Sequence, residues 1–161
     1  MSLVPTPSQT VGPFFGFALP FPDDQSAVAA DSPGAVRIEG QLVDGAGAPV
    51  PDGLLEAWQG DQFARSGTDP EGMFHFVVRK PAAGPDGEAP HLHVTVFARG
   101  LLRHLTTRLY FPDEAAANAA DPVLQLVEAG RRATLVARDD GGVLRWDVHL
   151  QGDGETVFFA V

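Results

Sequence analysis

Apolar and polar side chains alternate along most of the chain after residue 34. The clearest case is 35–45, where Val36, Ile38 and Leu42 fall on one side and charged or amide side chains fall on the other. Because successive side chains of a strand point to opposite faces, this period of two predicts a strand with one buried face. Similar short segments follow, separated by turns rich in glycine and proline. We predict strands at 35–45, 54–59, 74–80, 91–99 and 104–111, a hairpin over 133–150 with its turn at Asp140-Gly141 or the neighbouring glycines, and a closing segment at 156–161.

Two stretches between these strands lack the alternation. Residues 60–72 begin and end with glycine and contain aspartate and proline, so we predict a loop there. Residues 113–130 are rich in alanine, acidic at their start and interrupted by Pro122. This composition predicts the one helical segment of the chain.

Residues 1–34 are predicted to form an irregular N-terminal arm. The arm is rich in proline, yet it carries Phe14, Phe15, Phe17 and Phe21. Exposed apolar patches of this kind usually mark interfaces. The rings therefore pack either on the arm's own domain or against another subunit, and the residues alone leave both interpretations open.

Composition agrees with a fold made of short strands. Glycine (18) and proline (14) are frequent, and 44% of the 161 residues are hydrophobic, which is typical of a globular chain with many turns. The length suits one domain with a continuous core. We therefore predict an all-β protein, with a β-sandwich domain at 35–161 that follows the arm and contains one short helical segment.

The chain is acidic and has no cysteine. Its 11 basic and 21 acidic side chains give a net charge of −10, which disfavours nucleic acid and membrane surfaces as partners. No segment approaches the ~20 apolar residues of a membrane span, and prolines interrupt the apolar start, so no signal peptide is predicted. Without cysteine the chain has neither disulfides nor thiolate metal sites, and a cytoplasmic location is expected.

The strand predicted at 91–99 carries two histidines, His91 and His93, on one face. Its other face is continuously apolar and must pack into the core. Cα atoms two residues apart on a strand are separated by ~6.6 Å, so both imidazoles can reach one metal ion. Iron or zinc generally needs a third or fourth protein ligand, and carboxylates are abundant. The residues alone therefore allow either a metal site or a pair of structural histidines.

Five segments spread over nearly the whole chain carry a resemblance to a known family. They are TPSQTVGPFFGFAL (6–19), RIEGQLVDGAGAPVPDGLLEAWQ (37–59), GTDPEGMFHF (67–76), APHLHVTVFARGLLRHLTTRLYFPDE (89–114) and GDGETVFF (152–159). Together they resemble the intradiol ring-cleaving dioxygenases, and among these the alpha subunits of the enzymes that act on 3,4-dihydroxybenzoate. The resemblance implies a β-sandwich of the intradiol dioxygenase type and a role in an oxidoreductase of aromatic-acid catabolism.

The resemblance also bears on the histidine pair. In the family's catalytic subunits two tyrosines and two histidines hold a ferric ion, and the histidines match His91 and His93. Phe63 stands at the first tyrosine position, the loop 81–90 has no aromatic residue for the second, and Tyr110, the only tyrosine, matches neither. Because phenylalanine has no lone pair to replace an anionic phenolate, the resemblance implies that this chain binds no metal. Fe(III) is then expected in a catalytic beta subunit.

An alpha subunit of this family pairs with a beta subunit of the same fold, and the active site lies at their interface. The resemblance therefore implies a higher-order hetero-oligomer in which the arm, 1–34, packs on the partner. The reaction implied is O2-dependent cleavage of 3,4-dihydroxybenzoate to 3-carboxy-cis,cis-muconate. No catalytic residue is expected in this chain; the expected substrate-binding residues are Thr10, Gly12, Pro13, Phe14 and Arg99.

The chemistry of these residue types is compatible with those roles. Gly12-Pro13 forms a rigid turn, Phe14 can cover an aromatic ring, and the Arg99 guanidinium can bind a carboxylate. Arg99 lies at the far end of its strand from His91, which suits a site belonging to a partner better than a site at the histidines. Arg99 is also expected to cluster with Arg103 and Arg108.

Two other functions stay open at this point. One is an autonomous metal enzyme that uses His91, His93 and either a carboxylate or His75. The other is a β-sandwich interaction module without catalysis, which is a common role for such folds. The first predicts tightly bound metal and turnover by the chain alone, and the second predicts an arm that can be removed without consequence.

Overall fold

The polypeptide forms two stacked β-sheets with a few short helices. The structure, a computed structural model, describes residues 4–160. Residues 1–3 of the predicted arm and Val161 of the predicted closing segment lie outside the described residues. The strands are β1 (Ala35–Val43), β2 (Gly53–Gln59), β3 (Gln62–Gly67), β4 (Met73–Arg79), β5 (His91–Ala98), β6 (Leu105–Tyr110), β7 (Arg138–Asp140), β8 (Val143–Arg145) and β9 (Val148–His149).

The helices are short and lie outside the sheets. The helices are α1 (Phe15–Ala18), α2 (Ala115–Ala120) and α3 (Pro122–Leu126), and 3₁₀ turns cover Pro85–Gly87, Pro112–Glu114 and Ala129–Leu135. The predicted helical segment at 113–130 is therefore confirmed, but it is divided into two short helices and flanking 3₁₀ turns. Asp121 is extended and caps α3, with Pro122 in the first turn. Since a proline restricts the residue before it to extended backbone, one continuous helix cannot form there.

One sheet has the strand order β4-β1-β8-β7, with β9 also pairing with β1, and the other has the order β3-β2-β5-β6. The apolar face of β1, with Ile38 and Leu42, packs with that of β5, with Leu92, Val94 and Val96, in one buried core. Side chains of opposite parity point away from this core, as the alternation requires. The predicted all-β sandwich is confirmed.

The loop predicted at 60–72 is wrong, because β3 occupies Gln62–Gly67. β3 pairs antiparallel with β2 through a tight turn. Its alternation was hidden by small side chains, since the core-facing residues are Ala64 and Ser66, both buried. Pairing with β2 therefore fixes a strand whose own residues give only a weak signal.

The predicted hairpin over 133–150 is confirmed only in its centre. β7 and β8 pair antiparallel across Gly141 and Gly142, which both have positive φ, so the turn uses the neighbouring glycines. Before the hairpin the chain forms the 3₁₀ turn Ala129–Leu135. Of the closing segment, Phe159 forms one antiparallel bridge to Thr106.

The backbone of Trp146, which directly follows β8, packs closely on β1, and this packing requires glycine at position 40. A Cβ atom on Gly40 would overlap the carbonyl oxygen of Trp146 and the ring of Phe74. Trp146 is buried, and its Nε1 donates to Thr134 O at 3.0 Å. The missing side chain thus lets the tryptophan backbone lie directly on β1.

The arm is tied to the domain along its second half. Arg65 Nη1 donates to Leu19 O at 2.9 Å, and the backbone N–H of Arg65 donates to Asp24 O at 2.7 Å. Ser26 forms a parallel bridge with Val77 of β4. Within residues 4–160 no helix is long and apolar enough to cross a membrane. The cytoplasmic location stays a prediction.

Candidate functional site

The outer face of the four-stranded sheet carries a row of aromatic and polar side chains. Cross-strand register places Phe63 opposite Trp58, Trp58 opposite His93, and His93 opposite Arg108. These residues have the parity opposite to the core residues of the same strands, so they point away from the sandwich. The rings of Trp58 and Phe63 lie 4.4 Å apart. Register between four strands therefore assembles a site that no single segment contains.

The two imidazoles of β5 are hydrogen-bonded to each other. His91 Nδ1 lies 2.8 Å from Ala89 O, which can only accept, so this nitrogen carries the proton of the neutral ring. His91 Nε2 is then an acceptor, and it lies 3.3 Å from His93 Nε2, which donates to it. The nitrogen atoms that would bind a metal are thus engaged with each other.

Three further side chains complete what we call the polar cluster, which consists of His91, His93, Glu88, Arg108 and Tyr110. Arg108 Nη2 donates to Glu88 Oε1 at 3.1 Å, and its Nη1 donates to the Tyr110 hydroxyl at 3.3 Å. The other carboxylate oxygen of Glu88 lies 3.9 Å from His91 Nε2. One cation, one anion and three neutral groups therefore share the cluster.

The tyrosine of the cluster is connected to a buried carboxylate. The Tyr110 hydroxyl donates to Asp121 Oδ1 at 3.2 Å, and Tyr110 is fully buried. Burial raises the pKa of Tyr110 to about 12, although the neighbouring Arg108 opposes the shift. The hydroxyl consequently stays protonated at neutral pH.

Burial also lowers the pKa of both histidines. For His91 the hydrogen bond to Ala89 O opposes the shift, while the positive charge of Arg108 adds to it. For His93 the neighbouring His91 and Arg108 both lower the pKa further. Both rings are therefore neutral at pH 7, in agreement with the tautomers assigned from the hydrogen bonds.

The structure places two of the predicted substrate-binding residues, Thr10 and Arg99, at the other end of β5. Arg99 directly follows β5, and its exposed guanidinium lies 3.7 Å from the Asp52 carboxylate. Thr10 is brought to the same place, because its Oγ1 accepts a hydrogen bond from the Gly100 N–H at 2.7 Å. Thr10 and Arg99 are thus neighbours although they are 89 positions apart in the sequence.

The remaining arm residues form a turn and a short helix that face solvent. Gly12 O accepts from Phe15 N at 3.2 Å, so Gly12 and Pro13 form the turn that leads into α1. Phe14 is 70% exposed and packs edge-on against Phe17, with ring centroids 5.4 Å apart. The ring of Phe14 is therefore free to contact another molecule.

The structure corrects one sequence prediction about neighbouring residues and excludes one of the options left open. Arg108 lies opposite His93 on β6, whereas Arg99 and Arg103 lie in the turn beyond the other end of β5, so the three arginines do not cluster. His75 lies opposite Glu39 in the other sheet. It cannot serve as the third ligand that an autonomous metal enzyme would need.

The sequence did not indicate that Glu88 and Arg108 belong to the site, or that Asp121 lies next to it. The parity of β6 relative to β5 would have placed Arg108 on the histidine face once the two strands were paired. Asp121 precedes a proline, which is a recognisable helix N-cap signal. Glu88 lies in the irregular segment before β5 and gave no signal.

No protein-family model matches the chain. Sequence comparison with known proteins is decisive, because the protocatechuate 3,4-dioxygenase alpha chain of Burkholderia cepacia is 44% identical, with the match covering 99% of both chains. The chain belongs to the protocatechuate 3,4-dioxygenase alpha-chain family. Membership makes it a subunit of a dioxygenase, which confirms the class of oxidoreductase predicted from the sequence motifs.

One further relative and one solved structure extend the comparison. The protocatechuate 3,4-dioxygenase beta chain of Burkholderia cepacia is 28% identical, over 75% of this chain and 66% of the beta chain. Among solved structures, a dioxygenase domain from Streptomyces sp. SirexAA-E has a TM-score of 0.62 at 24% identity and covers 91% of this chain and 99% of its own. The alpha-chain family thus shares sequence with a beta chain and its fold with a separate dioxygenase.

The ferric ion implied by the resemblance can be tested against the residues of this alpha-chain family member. Fe(III) needs hard anionic donors, but Glu88 is paired with Arg108 and the only tyrosine is protonated and hydrogen-bonded. Among the described residues no three His, Cys, Asp or Glu side chains are placed to hold a metal ion. The donor set at His91 and His93 does not fit a ferric ion.

Proposed function

We propose that this chain is a non-iron alpha subunit that forms one wall of the substrate pocket of a catalytic beta subunit. The complex cleaves 3,4-dihydroxybenzoate between its two hydroxyl-bearing carbons, and both atoms of O2 enter the product, 3-carboxy-cis,cis-muconate. The observation that carries the proposal is the set of groups around His91 and His93. Phe63 stands where the resemblance expects the first tyrosine, the carboxylate of Glu88 is paired with Arg108, and the hydroxyl of Tyr110 stays protonated.

In this proposal Fe(III) belongs to the beta subunit, and this chain supplies binding groups. Arg99 binds the substrate carboxylate, which competes with Asp52 for the guanidinium. The positive charge is needed locally, because a chain with a net charge of −10 repels an anionic substrate at long range. The exposure of Arg99 and its distance from the chain's own histidines both support a site that lies on the partner.

The arm contributes the other part of the wall. Thr10 is held beside Gly100, and the turn at Gly12 and Pro13 then directs Phe14 outward. A flat ring can approach Gly12 closely, since apart from Gly12 and its two chain neighbours no described residue has an atom within 4 Å of the position that its Cβ would occupy. In this proposal Thr10, Gly12, Pro13 and Phe14 line the same pocket as Arg99, and the hydrogen bond between Thr10 and Gly100 supports this arrangement.

Replacing Arg99 by alanine tests this assignment in the complex with the beta subunit. We expect the KM for 3,4-dihydroxybenzoate to rise about tenfold, which corresponds to about 1.4 kcal/mol, while the KM for catechol, which has no carboxylate, changes little. Steady-state kinetics on both substrates provides the measurement. Arg103→Ala, which removes an exposed arginine of the same turn, is the matched control and should leave both KM values unchanged. Equal losses on the two substrates would refute the assignment of Arg99.

A further inference from the structure

Three potential metal ligands, His91, His93 and Glu88, lie close together in the polar cluster, although they are not arranged to hold an ion. His91 Nε2 and His93 Nε2 are 3.3 Å apart, and Glu88 Oε2 is 3.9 Å from His91 Nε2. Two imidazoles and one carboxylate are a donor set that binds first-row divalent ions in many proteins, and it needs no phenolate. The question is what keeps these three groups from closing around an ion.

Arg108 binds the carboxylate of that donor set and lies beside its imidazoles. It lies opposite His93 in the β5–β6 register, and its guanidinium holds the Glu88 carboxylate at 3.1 Å. A second nitrogen donates to the Tyr110 hydroxyl, which fixes the orientation of the planar group. The arginine side chain is only 14% exposed, so its charge is weakly screened by water. Because a guanidinium does not lose its proton in a protein, the positive charge is permanent.

We propose that Arg108 takes the place of a metal ion in the polar cluster: its guanidinium neutralises Glu88, repels divalent cations from His91 and His93, and thereby keeps this chain metal-free. The cluster is stable without a metal because every charged group already has a partner. Removing the arginine charge frees the carboxylate and exposes a two-histidine, one-carboxylate site. This inference concerns metal binding by this chain and does not depend on the proposed role at the beta subunit.

The experiment compares Co²⁺ and Zn²⁺ binding by the full-length chain and by Arg108→Gln. Glutamine is neutral, and its amide can still donate a hydrogen bond to Glu88 or Tyr110. We expect Arg108→Gln to bind one ion per chain at least about 30-fold more tightly than the unmodified chain, because a nearby positive charge has been removed. Calorimetry gives the affinity, and the visible absorption of Co²⁺ reports nitrogen and oxygen coordination.

Two control variants separate charge from structural disturbance. Arg108→Lys keeps the positive charge and should bind no more tightly than the unmodified chain. His93→Ala combined with Arg108→Gln removes one ligand and should lose the gain. Folding of each variant is checked by circular dichroism.

Three results would overturn the proposal. The first is tight binding of one Co²⁺ per chain at His91 and His93 with Arg108 still in place, which requires no variant at all. The second is equal affinity of Arg108→Gln and Arg108→Lys. The third is a gain in Arg108→Gln that survives the loss of His93.

Discussion

Replacing Asp121 by alanine is expected to lower the free energy of unfolding by about 3–5 kcal/mol. Asp121 is fully buried and accepts four hydrogen bonds. Oδ1 accepts from Val123 N at 2.9 Å, from Leu124 N at 2.8 Å and from the Tyr110 hydroxyl at 3.2 Å, and Oδ2 accepts from Ala89 N at 2.8 Å. Alanine leaves all four donors without their acceptor, and a buried donor without a partner costs about 1–3 kcal/mol.

The loss of stability should extend beyond α3, the helix that Asp121 caps. The carboxylate joins the first turn of α3 to Tyr110 on β6 and to Ala89, which precedes the histidine strand. Urea denaturation of the full-length chain measures the loss. Asp121→Asn keeps one acceptor oxygen and should lose less, whereas Asp153→Ala, at an exposed aspartate, should stay within about 0.5 kcal/mol of the unmodified chain. A loss below about 1 kcal/mol for Asp121→Ala would show that the network contributes little.

Removal of residues 1–22 is expected to weaken association with the beta subunit more than about 100-fold, because apolar side chains of the arm would no longer be buried on the partner. Exposed large hydrophobic side chains are concentrated in this segment, since Val4, Phe14, Phe17, Leu19 and Phe21 are all exposed. Fully burying one such side chain contributes about 1.5–3 kcal/mol, so two or three rings that pack on a partner account for this change. Titration of the beta subunit by calorimetry or light scattering measures it.

Deletion also removes the arm's contacts with its own domain, so a second variant is needed. Phe14→Ser, Phe17→Ser and Phe21→Ser together leave the backbone of the arm in place and should weaken association by a similar factor. Leu126→Ser removes an equally exposed apolar side chain outside the arm and should have no effect. If the truncated chain associates as tightly as the full chain, the arm does not pack on the partner. That result would favour the alternative that the chain is an interaction module without catalysis.

The strands with a strong alternation could be predicted from the sequence, because one face of each must reach the core. The sandwich follows from several such strands and frequent turns. β3 could not be predicted, since Ala64 and Ser66 give little contrast and its pairing with β2 is a tertiary effect. The helical segment was located correctly, and its predicted interruption by Pro122 coincides with the observed break at Asp121.

The candidate site could be predicted in part. The spacing of His91 and His93 predicts that both lie on one face of β5. The apolar residues that alternate with them along the strand predict that this face points away from the core. Glu88, Arg108 and Asp121 come from three other segments, and their meeting depends on strand register and on the path of irregular chain. Thr10 beside Gly100 is likewise a long-range contact that no local pattern encodes.

The most direct test of the account is the iron content and the ring-cleaving activity of this chain, each measured alone and again in complex with a beta subunit. The account predicts that the purified chain is colourless, contains no stoichiometric iron and does not oxidise 3,4-dihydroxybenzoate, and that the complex is coloured and active with one iron per pair of chains. Tightly held iron together with catechol cleavage in a sample of this chain alone would contradict it.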